Sequence, residues 1–235
     1  VYRFFSRQIE NNQAFLDEVE SNHCKNVLRI KEGQSVEVID GKGGLWEGIC
    51  HYPGKKTTTI ELSTKLEINQ HLNLLTIILP PTKNPARLEW FVEKATELGV
   101  GRIIPVVTKR TEKVFLKSER LQKIVVSAGK QSKILHFPIL EEAVNLDEYF
   151  KRFYHIDNQN FIAHCVEGMD KSPLILKNKA LPCHVLIGPE GDFTPEEIEK
   201  ARKHGFDYLT LGDNRLRVET AALHVVSIYN YLINI

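Results

Sequence analysis

LIGPEGDFTPEEIEKARKHGF, residues 186–206, reads as a short apolar strand, a tight glycine loop and a helix. The helix carries its own start signal. Thr194 suits the N-cap, Pro195 the first helical position, and Glu197 at the third position completes a capping box. Gly188 and Gly191 allow close backbone approaches that a side chain would block, and Pro189 stiffens the loop. A strand, glycine loop and helix in this order often hold a nucleotide phosphate. The spacing here matches neither GxGxxG nor GxxxxGK[ST], so the dinucleotide and phosphate-loop readings lose their support.

Working outward, LGDNRLRVETAA, residues 211–222, repeats the arrangement: it too follows an apolar strand and runs into a helix, and it presents Arg215, Arg217 and Glu219 close to Gly212. Open α/β sheets bind ligands at the carboxyl ends of their strands, so two such loops on neighbouring strands can line one crevice. Upstream, LNLLTIILP is a continuous apolar run, as expected of a strand buried on both faces. PARLEWFVEKATELG follows with helical period, starting at Pro85 and stopping at Gly99. Strands RIIPVVT, FIAHCV, CHVLIG and YLTLG alternate with helices ERLQKIVVSAGKQSK, PEEIEKARKH and ETAALHVVSIYNYL. The pattern predicts an α/β domain with a mainly parallel sheet over 71–235. Residues 1–70 differ. SVEVIDGKGGLWEGICHY alternates across a Gly-Lys-Gly-Gly turn, TTTIELSTKLEI is β-branched and alternating, and only Ser21 to Leu28 suggests a helix. A small barrel or sandwich is expected there.

Of the 235 residues, 42% are hydrophobic and 26% charged, an ordinary globular composition. No apolar run approaches the roughly 20 residues that span a bilayer. VYRFFSRQIENNQ lacks the pattern of a signal peptide, so a cytoplasmic protein is expected. Cys24, Cys50, Cys165 and Cys183 form no CxxC pair and the nine histidines no ligand spacing, so no metal is expected. The net charge is +1, but Arg102 to Lys133 holds nine basic residues (Lys113 among them) against Glu112 and Glu119. Such a patch suits a polyanion, although a solvated face has the same composition.

The two loops, with EKATELGVGRIIPVVTKR, GKQSK and the N-terminal HCKNVLRIKEGQSVEVIDGKGG, strongly resemble the SPOUT-class RNA methyltransferases, in particular the ribosomal RNA small subunit methyltransferase E family. The resemblance covers nearly the whole chain. Two positions depart from the family pattern. Asp192 stands where GPEGG has its last glycine, and Val218 where LRTET has its first threonine. Asp tolerates unusual backbone angles better than most residues.

The resemblance implies a PUA-like RNA-binding domain over 1–70 and a trefoil knot at the C-terminus of 71–235. It also implies methylation of N3 of a uridine in the 16S rRNA of the small ribosomal subunit, with S-adenosylmethionine as donor. The donor residues it implies are Leu186, Ile187, Gly188, Pro189, Glu190, Gly191, Leu211, Gly212, Leu216, Arg217 and Thr220. Arg217 would stabilise the uracil anion, held by Glu219, unless the two form only a structural ion pair; Glu190 is a possible base. Arg120, Lys123, Lys130 and Gln131 would face RNA. Homodimers are the rule in this class, and the apolar surplus of Leu223, Val225, Val226, Ile228, Tyr229, Leu232 and Ile233 agrees with one. A methyltransferase acting on another RNA base, or a non-catalytic RNA-binding relative, are the alternatives.

Overall fold

The structure, a computed structural model, describes residues 1–54, 57–68, 73–112 and 116–234. It contains two compact units, Val1–Leu72 with Val126–Phe137, and Asn73–Val125 with Pro138–Ile235. The junction expected between residues 70 and 71 lies outside the described residues.

The first unit is built on one six-stranded sheet. Its strands are β1 (Arg3–Phe5), β2 (Gln8–Glu10), β3 (Gln13–Leu16), β4 (Ser35–Ile39), β5 (Gly44–His51) and β6 (Thr58–Ile68). They lie in the order β1-β4-β5-β6-β3-β2, antiparallel except for β1 against β4. The Gly-Lys-Gly-Gly turn joins β4 to β5 as its composition predicts. Asp40 Oδ1 accepts from the amides of Lys42 and Gly44, while Gly41 and Gly43 take positive φ. Two register shifts between β5 and β6 add twist to the sheet. The helical stretch begins earlier than Ser21, as α1 (Glu18–Asn22), because Asp17 caps it by accepting from the Glu20 amide. A π-helical turn, His23–Val27, continues it. Residues 126–137, expected in the second domain, belong to this unit. Leu135 is buried in a small core with Phe5, Ile39 and Leu45, and Val126 and Phe137 pack against it.

The second unit carries the parallel sheet. Its strands are β7 (Leu75–Leu79), β8 (Arg102–Val107), β9 (Ile139–Leu140), β10 (Val144–Asn145), β11 (Gln159–Ala163), β12 (Cys183–Ile187) and β13 (Asp207–Leu209). The order is β10-β8-β7-β12-β11-β13, with β9 also on β8. Every residue of β7, β11 and β12 is buried, which is why these strands are apolar or internally bonded throughout. The helices are α2 (Pro85–Glu97), α3 (Ser118–Gln131, shared with the first unit), α4 (Leu146–Arg152), α5 (Pro195–Lys203) and α6 (Val218–Asn234). Asn84 caps α2, and Gly99 follows it at φ +79°. Several details differ from the sequence pattern, among them the unexpected short strands β9 and β10 and the end of β13 at Leu209 rather than Gly212. Helix α4, capped by Asn145, was not expected, and β11 stops at Ala163, so His164 to Val166 leave the sheet as loop. Among the described residues no helix is long and apolar enough to cross a membrane.

One buried carboxylate fastens two parts of this unit. Glu197 is 6% exposed, and its side chain accepts from the Thr194 amide (2.9 Å) and from the Lys109 amide (2.8 Å), just past the end of β8. Glu197→Ala would leave both donors unpaired. It should lower unfolding free energy by about 2–4 kcal/mol, and Glu197→Gln, which keeps one acceptor, by less. Urea denaturation of both variants checks this; an unchanged Glu197→Ala midpoint would contradict it.

Candidate active site

The register of three strands sets the floor of the site. Ala163 pairs with Ile187 on one side and with Leu209 on the other, so β12, β11 and β13 end level. Above these ends lies a cavity of about 760 Å³, within the range of small-molecule sites. Its walls come from residues 163–171, 187–192 and 209–221 of the second unit. Ile187, Gly188, Pro189, Glu190, Leu211, Gly212, Leu216 and Arg217, all expected from the sequence, line it. Leu186, Gly191, Thr220 and Glu219 are not among its lining residues: Leu186 lies in the main core, and Thr220 is exposed.

The first loop is held by its own backbone and by arginines. The Gly188 amide donates to Ala163 O and the Asp192 amide to Pro189 O. Arg110 donates to the carbonyls of Gly191 (2.9 Å) and Phe193 (3.4 Å), and a Cβ at Gly191 would meet the Arg110 side chain at 3.4 Å. Gly191 therefore faces Arg110. Asp192 takes φ +61°, the left-handed region, where glycine is the usual residue. Its carboxylate compensates, accepting from the Phe193 amide (2.9 Å) and from the Cys165 amide (3.0 Å), which ties this loop to the one after β11.

The second loop crosses to the first at Arg215, which donates to Glu190 O at 3.3 Å. Gly212 sits at φ +100° with open space where a Cβ would stand. Arg217 is exposed, with no polar side-chain partner among the described residues. Glu219 does not hold it. That carboxylate is 6% exposed and pairs with Arg87 (3.6 Å), leaving Oε2 buried without a partner. Val218 is buried and lines the cavity with Ala221.

Sequence reasoning missed the third wall. His164, Cys165, Glu167 and Lys171 follow β11, and Lys171 Nζ donates to His164 O. His164 is buried, edge-on to Tyr208, and neither ring nitrogen has a partner. Burial holds its pKa below the usual imidazole range; Lys171 adds to this and Asp192 opposes it. A histidine directly after an apolar strand of an α/β sheet was the available signal.

The residues expected to face RNA are placed unequally. Arg120 bonds Glu89, and Lys130 is mostly buried in an ion pair with Glu20. Lys123 and Gln131 are exposed, and Lys123 is unpaired among the described residues. Lys113 lies outside the described residues.

A parallel α/β unit with a nucleoside-sized cavity at its strand ends, together with a small β unit, defines a two-part α/β protein that handles a small molecule. Its family is settled by comparison. The RNA methyltransferase domain family matches residues 69–230 and the RNA methyltransferase PUA domain family residues 16–62, so the chain belongs to the RNA methyltransferases. A ribosomal RNA small subunit methyltransferase E of Rickettsia conorii is 29% identical, covering 94% of this chain and 91% of its own length. Among solved structures, a probable rRNA-methyltransferase from Porphyromonas gingivalis superposes with TM-score 0.88 at 28% identity, covering 100% of this chain and 99% of its own. A ribosomal RNA small subunit methyltransferase E from Neisseria gonorrhoeae bound to S-adenosyl methionine gives TM-score 0.82 at 26% identity, covering 98% and 97%.

The Asp192 geometry sets a stability order. Asp192→Ala keeps the left-handed backbone and loses both acceptor contacts, so it should destabilise by about 2–4 kcal/mol. Asp192→Gly loses the same contacts but relieves the backbone strain, and should be milder by about 1 kcal/mol. Urea denaturation measures both; a glycine variant weaker than the alanine one would contradict the account.

Proposed function

We propose that this chain transfers a methyl group from S-adenosylmethionine to N3 of a uridine in the 16S rRNA of the small ribosomal subunit, acting in the cytoplasm. The observation that carries the reading is the cavity over β11, β12 and β13, walled by the glycine loop and the Arg-rich loop. The R. conorii relative is named for small-subunit rRNA, and the N. gonorrhoeae structure for its bound S-adenosyl methionine, which supports both halves of the proposal.

The residues present fit an adenosyl group. Ile187, Leu211 and Leu216 give apolar walls, Gly188 and Gly212 present backbone without a side chain, and the volume is sufficient. Leu186, in the core beside Ile187, would support these walls from behind, whereas Gly191 faces Arg110 and Thr220 is exposed. When bound, S-adenosylmethionine supplies an electrophilic methyl on a sulfonium. The protein's task is to hold the two reactants in line, which can account for much of the rate. Uridine N3 must lose its proton, and Arg217, exposed and unpaired, is available to stabilise the negative charge on the uracil. Glu190 lines the same cavity and is the candidate proton acceptor. Glu219 acts at one remove, anchoring the start of α6 to Arg87.

We infer also that the segment after β13 is threaded as a trefoil knot. This is supported by the path of the chain, which leaves the sheet edge at β13 and returns as α6 against β7 and β12. Val225, Val226 and Tyr229, expected among the surplus, are buried within the chain, so a homodimer is inferred from the half-buried Leu223, Ile228, Leu232 and Ile233 of α6. Lys123 and Gln131, with Arg120, are proposed to meet rRNA; Lys130 is assigned to its ion pair with Glu20.

Incubation of unmethylated small subunits with the enzyme and labelled donor should yield 3-methyluridine in 16S rRNA, read by nucleoside mass spectrometry. Label in another nucleoside, or none, would overturn the proposal. In single turnover on saturating subunits, Arg217→Ala should be slower by about a hundredfold or more; a wild-type rate would remove its catalytic role. Separately, Lys123→Ala should weaken RNA binding and make the logarithmic salt slope shallower by about one unit. An unchanged slope in a filter-binding titration would leave Lys123 a solvated side chain.

A further inference from the structure

Two histidines lie buried in the parallel unit, and they differ in one respect. His184, 7% exposed on β12, has both ring nitrogens engaged, Nδ1 with Tyr149 Oη at 3.0 Å and Nε2 with Asn158 at 3.3 Å. It is a satisfied structural residue. His164, 8% exposed at the end of β11, has neither nitrogen engaged, and it lines the cavity. Buried polar side chains are nearly always paired, so an unpaired one at a cavity wall points to a ligand.

We propose that His164 hydrogen-bonds the nucleoside part of the adenosyl donor as a neutral imidazole; this rests on the donor-pocket reading above. The surroundings select the neutral form. Tyr208 covers the ring edge-on at 5.1 Å, Lys171 bonds the His164 carbonyl, and Asp192 is turned to the Cys165 and Phe193 amides. A neutral imidazole offers one N–H donor and one lone pair. A carboxylate partner would favour the charged ring, against the neighbouring Lys171. An ammonium has no lone pair, and the one on a cationic sulfonium is a poor acceptor for the ring N–H. Ribose hydroxyls and the purine edge supply neutral donors and acceptors, which match both nitrogens.

The test uses the full chain labelled with ¹⁵N-histidine and titrated with S-adenosylhomocysteine. The His164 imidazole nitrogens should shift on binding, while those of His184 stay in place. By calorimetry, His164→Phe should bind S-adenosylhomocysteine about three- to tenfold more weakly, a hydrogen bond's worth, and His164→Gln should recover part of the loss. Thermal melts establish that the variants fold; if either does not, the wild-type nitrogen shifts still decide. Normal binding by the wild type with unmoved His164 nitrogens, or wild-type affinity in a folded His164→Phe, would overturn the assignment alone. No binding by the wild type would overturn the donor-pocket reading and this inference together.

Discussion

The level ending of three parallel strands is the constraint on which the site depends. Ile187, Ala163 and Leu209 are fixed side by side by the ladder, and each is followed by a loop. The strands have no freedom to slip, because β11 and β12 are buried along their whole length and a shift of one residue would exchange their faces. Three loops must therefore rise from one line, and the space among them is the cavity. Its chemistry follows from which residues stand one to three places beyond the ladder: His164, Gly188 and Leu211 with Gly212.

Loops in this position expose many backbone carbonyls and amides, and the protein pairs them locally. Arg110 and Arg215 take the carbonyls of Gly191, Phe193 and Glu190, and Asp192 takes two amides. Glu197 joins the exit of β8 to the first turn of α5. The loops are thus braced from outside, while the inner faces keep glycine backbone, apolar side chains and uncommitted groups, Arg217, His164 and Glu190 among them. Preorganisation of this kind lets a site hold reactants without first reorganising itself.

Much of the frame was legible in the sequence because its causes are local. The α5 capping box needs only Thr194 and Glu197, the β4–β5 turn only Asp40 and its glycines, and β7 only its own apolar run. The two loops that wall the cavity were legible as strand-to-helix loops from glycine placement and from family resemblance. What was not legible depends on distant partners. The helical stripe of α3 groups Lys130 with Lys123, but Glu20, 110 residues away, removes it from the surface set. Glu219 looks like a partner for Arg217 two residues before it, yet helix geometry turns it to Arg87. The unpaired state of His164 could not be read at all, because it depends on which side chains pack against the ring, Tyr208 among them, and Tyr208 is distant in sequence.

The central claim is that one cavity, over the ends of β11, β12 and β13, holds an adenosyl donor. A crystal structure of the full chain with S-adenosylhomocysteine tests it most directly. The account predicts ligand density enclosed between residues 187–192 and 210–217, with the nucleoside next to His164. A ligand bound elsewhere on the chain, or density absent from that cavity at saturating concentration, would contradict it.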